Sequence, residues 1–190
     1  RLLFPMISTV EELRAAKEHV RRVQEQLKAE GVRFRERIPI GIMVEVPSTA
    51  LTIDRFAPEV DFLSIGTNDL IQYTLAVDRV NQRVAHLYQP SSPAIHRLLH
   101  AVIETAHRFR VPVSACGEMA ADPRFTVLLL GFGLRRFSVA PVAIPMVKHV
   151  VRSVTMAQAE SIAERALTFA TAAECDDFLQ ERICALLPAI

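Results

Sequence analysis

The sequence predicts an α/β fold of the (β/α)8 TIM-barrel type, here only about the last five strand-helix units followed by C-terminal helices. Three observations point there. Short, nearly continuous apolar runs alternate with longer stretches of helical period, which is the pattern of a parallel sheet covered by helices. The alternation stops after about Thr155, where only helical segments remain. Five units fall short of the eight that close a barrel. The chain also starts inside an apolar run, Leu2-Leu3-Phe4, with no initiator Met, so the expectation is that three units precede Arg1 rather than that the sheet is open.

The elements follow in order. Leu2 to Met6 reads as a buried strand. Ser8-Thr9-Val10-Glu11 supplies a capping box for a long helix whose face is Leu13, Ala16, Val20, Val23 and Leu27, with Gly31 as its natural stop. Ile38 to Val44 is a strand, Thr49 to Phe56 a helix, and Val60 to Ile65 a strand leading into a loop around Asn68 and Asp69. Ser92-Pro93 opens a helix because Pro suits the first helical position; its face is Ile95, Leu98, Leu99, Val102, Ile103 and Ala106. Val111 to Ala115 is the fourth strand, Asp122-Pro123 caps a helix ending near Gly131, and Arg136 to Val139 is the fifth strand, before a helix from about Ile144. Thr155 and Thr171 open two last helices. The reading divides the chain into barrel units over 1–154 and terminal helices over 155–190.

Bulk properties narrow the function. At 190 residues, with 51% apolar and 23% charged residues, the chain holds one domain with a sizeable core. A net charge of +1 with both signs interspersed excludes the basic stripe of a nucleic-acid binder. No stretch approaches the length of a membrane span. Three widely spaced cysteines, Cys116, Cys175 and Cys184, form neither a disulfide framework nor a metal-ligand pattern, which fits a reducing cytoplasm.

The unusual polar residues fall together. Glu45 follows Ile42-Met43-Val44; Asn68 and Asp69 follow Phe62-Leu63-Ser64-Ile65; Cys116, Gly117 and Glu118 follow Val111 to Ala115. Each cluster sits just past the C-terminal end of a strand, the face where barrels and open α/β sheets place their chemistry. Two carboxylates from neighbouring strands suit a hard divalent cation such as Mg²⁺. Gly66 and Thr67 let backbone amides approach an anion. A thiol is mostly protonated at neutral pH, so Cys116 can donate a proton as well as attack. Metal, phosphate or carboxylate, and a proton donor make a kit for enolate chemistry.

The motifs then become specific. Gly41-Ile42-Met43-Val44-Glu45-Val46-Pro47, Phe62-Leu63-Ser64-Ile65-Gly66-Thr67-Asn68-Asp69-Leu70, Tyr73-Thr74-Leu75-Ala76-Val77-Asp78-Arg79, His86-Leu87-Tyr88-Gln89-Pro90 and Ala115-Cys116-Gly117-Glu118 resemble, in order, Enzyme I of the bacterial sugar phosphotransferase system, the phosphoenolpyruvate–protein phosphotransferase family. The resemblance implies a phosphoenolpyruvate- and Mg²⁺-binding barrel that also forms a homodimer. It implies metal ligation by Glu45 and Asp69, and substrate phosphate contacts from Asn68, Asp69 and Arg79. Cys116 is implied as the proton donor that turns the enolate into pyruvate. The family's phosphate-accepting histidine, which serves the histidine-containing phosphocarrier protein, belongs to an N-terminal domain that this sequence does not include. Further substrate arginines lie on earlier strands. The chain alone is therefore expected not to turn over and to bind phosphoenolpyruvate poorly.

Two other readings stay open. Pyruvate phosphate dikinase and phosphoenolpyruvate synthase share the Asn-Asp and Cys-Gly motifs, although the Tyr73-to-Arg79 and His86-to-Pro90 blocks favour Enzyme I. A non-catalytic dimerisation or regulatory module is the other. Elsewhere, His96, His100 and His107 are read as one solvated helix face, Cys175 and Cys184 as packing residues, and Glu118 as either a cap or an orienting group for Cys116. His86 carries no assigned role.

Overall fold

The computed structural model describes residues 1–187. Five strands form one parallel sheet in the order β1-β2-β3-β4-β5: β1 (Leu2–Phe4), β2 (Ile40–Val44), β3 (Phe62–Gly66), β4 (Val113–Cys116) and β5 (Phe137–Ser138). Every neighbour pairing is parallel. A doubly wound sheet reverses its strand order partway; strictly sequential order winds all helices onto one face, as in a (β/α) barrel. The five-unit barrel-type fold expected from the sequence is the fold observed. The barrel-unit and terminal-helix boundary at 154/155 coincides with a helix break, and the last three residues of the second part lie outside the described residues.

Alternation along the strands divides the chemistry. Ile42, Val44, Leu63, Ile65 and Ala115 point to the helix side and are almost fully buried. The opposite face carries Met43, Glu45, Ser64, Gly66, Ser114 and Cys116, set side by side by the register that pairs Met43 with Ser64, Ser64 with Ser114, and Gly66 with Cys116.

Nine α-helices are described: α1 (Val10–Ala29), α2 (Pro47–Leu51), α3 (Ile53–Phe56), α4 (Thr67–Leu75), α5 (Pro93–Arg108), α6 (Pro123–Gly131), α7 (Ile144–Ser153), α8 (Met156–Ala166) and α9 (Ala172–Leu186). Their starts are chemically marked. The Thr9, Thr155 and Thr171 hydroxyls each accept from the amide three residues on, and their own backbone amides donate back to the side chains of Glu12, Gln158 and Glu174. The first box therefore runs from Thr9 to Glu12, one residue later than the Ser8-to-Glu11 reading. Gly31 ends α1 region in the left-handed conformation at φ +69°.

Several expectations are corrected. The single helix expected over 49–56 is two short ones, parted at Thr52, whose φ of −115° and ψ of 26° leave the helical basin. β1 is a half-exposed edge strand rather than a buried one. Along α1 only Leu13 is buried, and Val23 is exposed. His96 does not face solvent: it is fully buried, edge-on to Phe125 and Phe132, with Nδ1 3.6 Å from Cys175 Sγ. His107 is exposed as expected. Cys175 packs in the core, but Cys184 is exposed and is no packing residue.

Candidate active site

Glu45 stands one residue beyond β2 and is only 3% exposed. A carboxylate so placed needs partners. One is local to no motif: the Met6 amide donates to Glu45 Oε1 at 2.7 Å, made possible by a left-handed Met6 at φ 56° in the loop after β1. The other neighbour is Asp69. Burial raises the Glu45 pKa, the Met6 amide opposes that, and the like charge of Asp69 adds to it. Gly66 creates the room for this carboxylate, because a Cβ there would lie 2.7 Å from Glu45 Oε2.

Asn68 and Asp69 are not in a loop. β3 runs into α4 without a break, so both occupy the first turn of that helix, where backbone amides point outward and favour negative ligands. The Asn68 side chain is fixed: its Oδ1 accepts from the Glu118 amide at 3.0 Å, which leaves the Asn68 NH₂ as the free donor. Glu118 takes part in the site through its backbone. Its backbone orients Asn68 while its side chain is exposed.

Arg79 reaches the site from the loop that follows α4. The helix stops at a left-handed Ala76, φ 52°, and the Arg79 amide donates to Gln72 Oε1 at 3.3 Å. Its guanidinium Nη2 comes to 3.8 Å from Asp69 Oδ1. Tyr88 closes this side, its hydroxyl donating to the Asn68 carbonyl at 3.3 Å. Burial raises the Tyr88 pKa and the neighbouring Arg79 charge works against it.

Cys116 ends β4. Its sulfur lies 3.4 Å from the Ile65 carbonyl and 3.7 Å from Ser64 Oγ, and its carbonyl accepts from Thr67 Oγ1 at 2.8 Å. Gly117 then turns the chain at φ +99°, a region that side chains disfavour. Even a methyl group would meet Thr67 Oγ1 at 2.3 Å and Asn68 Oδ1 at 2.8 Å. The glycine is what lets the β4 and β3 ends touch.

The structure therefore brings Glu45, Asn68, Asp69, Arg79 and Cys116 to the C-terminal ends of β2, β3 and β4. His86 is exposed. Met6 and Tyr88 carry no individual mark in the sequence, and Thr67, expected to offer its backbone, contributes its hydroxyl to the Cys116 carbonyl. Thr67 and Tyr88 lie inside quoted motifs, but Met6 has no local signal because its contact spans 39 residues.

The donor set fits a hard divalent cation. Glu45 is a buried acid facing a second acid, with no cationic side chain bonded to it, and Mg²⁺ asks for one or two carboxylates plus water and substrate oxygens. Among the described residues no group of three or more His, Cys, Asp or Glu is placed to hold a metal.

The model of the family described as PEP-utilising enzyme, PEP-binding domain, matches residues 1–156. The chain belongs to that family. Curated relatives agree: the phosphoenolpyruvate-protein phosphotransferase of Staphylococcus carnosus is 46% identical over 180 residues, 95% of this chain and 31% of that protein. The protein of the same name from Bacillus subtilis is 46% identical over 181 residues, 95% of this chain and 32% of that one. A Buchnera aphidicola relative is 46% identical over 170 residues, 90% of this chain and 30% of its own length. The chain spans under a third of these relatives. Among solved structures, a citrate lyase from Burkholderia xenovorans superposes with a TM-score of 0.55 at 16% identity, covering 96% of this chain and 63% of that one. At that identity the likeness concerns fold alone, and it is a likeness of the PEP-binding domain's α/β winding.

Proposed function

We propose that this chain is the phosphoenolpyruvate-binding barrel portion of a Mg²⁺-dependent phosphoenolpyruvate–protein phosphotransferase. The single observation that carries the reading is the convergence of the Glu45–Asp69 pair, the oriented Asn68 and the Cys116 thiol at one end of three adjacent strands. Relatives of that name at 46% identity support it.

In this reading Glu45 and Asp69 would hold Mg²⁺, which when bound draws electron density from phosphate and enolate oxygens. The Asn68 NH₂ and the Arg79 guanidinium hold the phosphate, a task the planar guanidinium suits. The phosphoryl group leaves for a histidine outside this chain, the P–O bond breaking with its electron pair retained by the enolate. Cys116 then gives its proton to the methylene carbon, and pyruvate forms. The same proposal includes delivery to the histidine-containing phosphocarrier protein, service to sugar uptake, a cytoplasmic setting and a homodimer. No described helix is long and apolar enough to cross a membrane.

The test is a chimera in which this chain replaces the matching segment of the Staphylococcus carnosus relative. Phosphoenolpyruvate should be converted to pyruvate, and Cys116→Ala should slow pyruvate formation roughly a hundredfold or more, within the range for a lost general acid. Phosphoryl loss from phosphoenolpyruvate should survive better. Pyruvate output unchanged by Cys116→Ala would remove the thiol from its role.

A further inference from the structure

Ser64 lies on β3 two residues before Gly66, whose register partner on β4 is Cys116. The two side chains are diagonal neighbours on the site face of the sheet, a separation that side chains bridge. Ser64 is 6% exposed, and its Oγ donates toward Cys116 Sγ at 3.7 Å, its only protein hydrogen-bond partner among the described residues. The sulfur in turn donates to the Ile65 carbonyl at 3.4 Å. The next serine across the sheet behaves differently: Ser114 Oγ turns to a backbone carbonyl, that of Leu63, at 3.3 Å. A thiol sulfur is a weak acceptor, whereas bonds to an ionised acceptor are about twice as strong as neutral ones. A buried hydroxyl spent on a sulfur thus gains most when that sulfur is charged.

We propose that Ser64 is a positioning residue for Cys116, holding the sulfur in place and stabilising the thiolate left when its proton is transferred. The proposal rests on Cys116 being the proton donor. In that step the S–H bond breaks and its pair stays on sulfur. A C–H bond forms at the methylene carbon from the enolate's π pair, and the enolate oxygen becomes the carbonyl of pyruvate. Negative charge passes from the enolate to the sulfur. The Ile65 carbonyl is an acceptor and repels that charge; the Ser64 hydroxyl is a donor and meets it. The sulfur recovers a proton from water.

The experiment reads the sulfur directly in the 190-residue chain and needs no turnover. Iodoacetamide labelling at neutral pH is resolved by mass spectrometry to the Cys116 peptide, with exposed Cys184 in the same sample as reference. Ser64→Thr keeps the hydroxyl and Ser64→Val replaces it with a methyl at nearly equal volume, so the pair separates hydrogen bonding from packing. Losing one bond to a charged group lowers the thiolate population about tenfold, and the more basic thiolate regains part of that in reactivity, leaving labelling about threefold slower. Ser64→Val and Ser64→Ala should show this slowing relative to Cys184, and Ser64→Thr should stay within about twofold of the parent. Equal rates for the Thr and Val variants overturn the proposal. A chimera that makes no pyruvate would instead overturn the proposed function and leave the labelling result standing.

Discussion

Gly117 bears on both the stability and the shape of the site. Its φ of +99° strains any side chain, and the space where a Cβ would go is already filled by Thr67 and Asn68. Gly117→Ala should therefore lower the unfolding free energy by about 2–3 kcal/mol, measured as a shift in the urea midpoint. Gly31→Ala is the control: φ there is +69°, but nothing lies within 4 Å of the added carbon. It carries backbone strain without a clash and should cost about 1 kcal/mol. At this scale Glu45, Asp69 and Cys116 were legible from position alone, since each follows an apolar run. The partners that make them a site were not. Met6 reaches Glu45 through its amide, and an amide leaves no mark in a sequence.

Among the helices, α5, α6 and α9 meet around one buried group. His96 is enclosed by Phe125, Phe132 and Cys175, its Nε2 is unbonded to protein, and burial pushes its pKa down to about 4 and that of Cys175 up to about 11. The ordinary value for a free His is 6.5. The unfolded chain therefore takes up this proton first as pH falls, so the His96 contribution to stability declines from about pH 6.5 and levels off near 4, by roughly 3 kcal/mol in all. Urea titrations across that range should give a steep slope for the parent and a shallower one for His96→Leu. Capping is a second handle on the same elements: Thr171→Ala removes the hydroxyl that accepts from the Glu174 amide, keeps the backbone bond to the Glu174 carboxylate, and should cost about 1 kcal/mol. The helical periods and caps were legible because they are local. The burial of His96 was not, since it sits at the border of the α5 apolar stripe and is covered by a helix 79 residues away. The same holds for the break at Thr52, where the backbone departs from a pattern that the apolar residues continue.

For the whole molecule, the sheet has two unpaired edges, β1 and β5, and parallel edges left open invite pairing with another chain. The 190-residue chain should self-associate with rising concentration in sedimentation velocity. Leu3→Lys, at an exposed position on β1, should weaken that association. Calorimetry should find phosphoenolpyruvate binding to this chain alone weak, at about millimolar or poorer, because the chain spans under a third of its relatives and the function proposed above draws its phosphate contacts in this chain from Asn68 and Arg79. Tight Mg²⁺-dependent binding would contradict that. The sequential winding of the sheet has a consequence for biosynthesis. All five site residues fall from Glu45 to Cys116, at or after the C-terminal ends of three strands that leave the ribosome one after another and are neighbours in the sheet. The carboxylate pair is complete once Asp69 has been made, and the contact that orients Asn68 follows when Glu118 appears. Helices α7, α8 and α9 are still unmade at that point, so the order of translation lets the chemistry assemble before the terminal helices that bury its outer core.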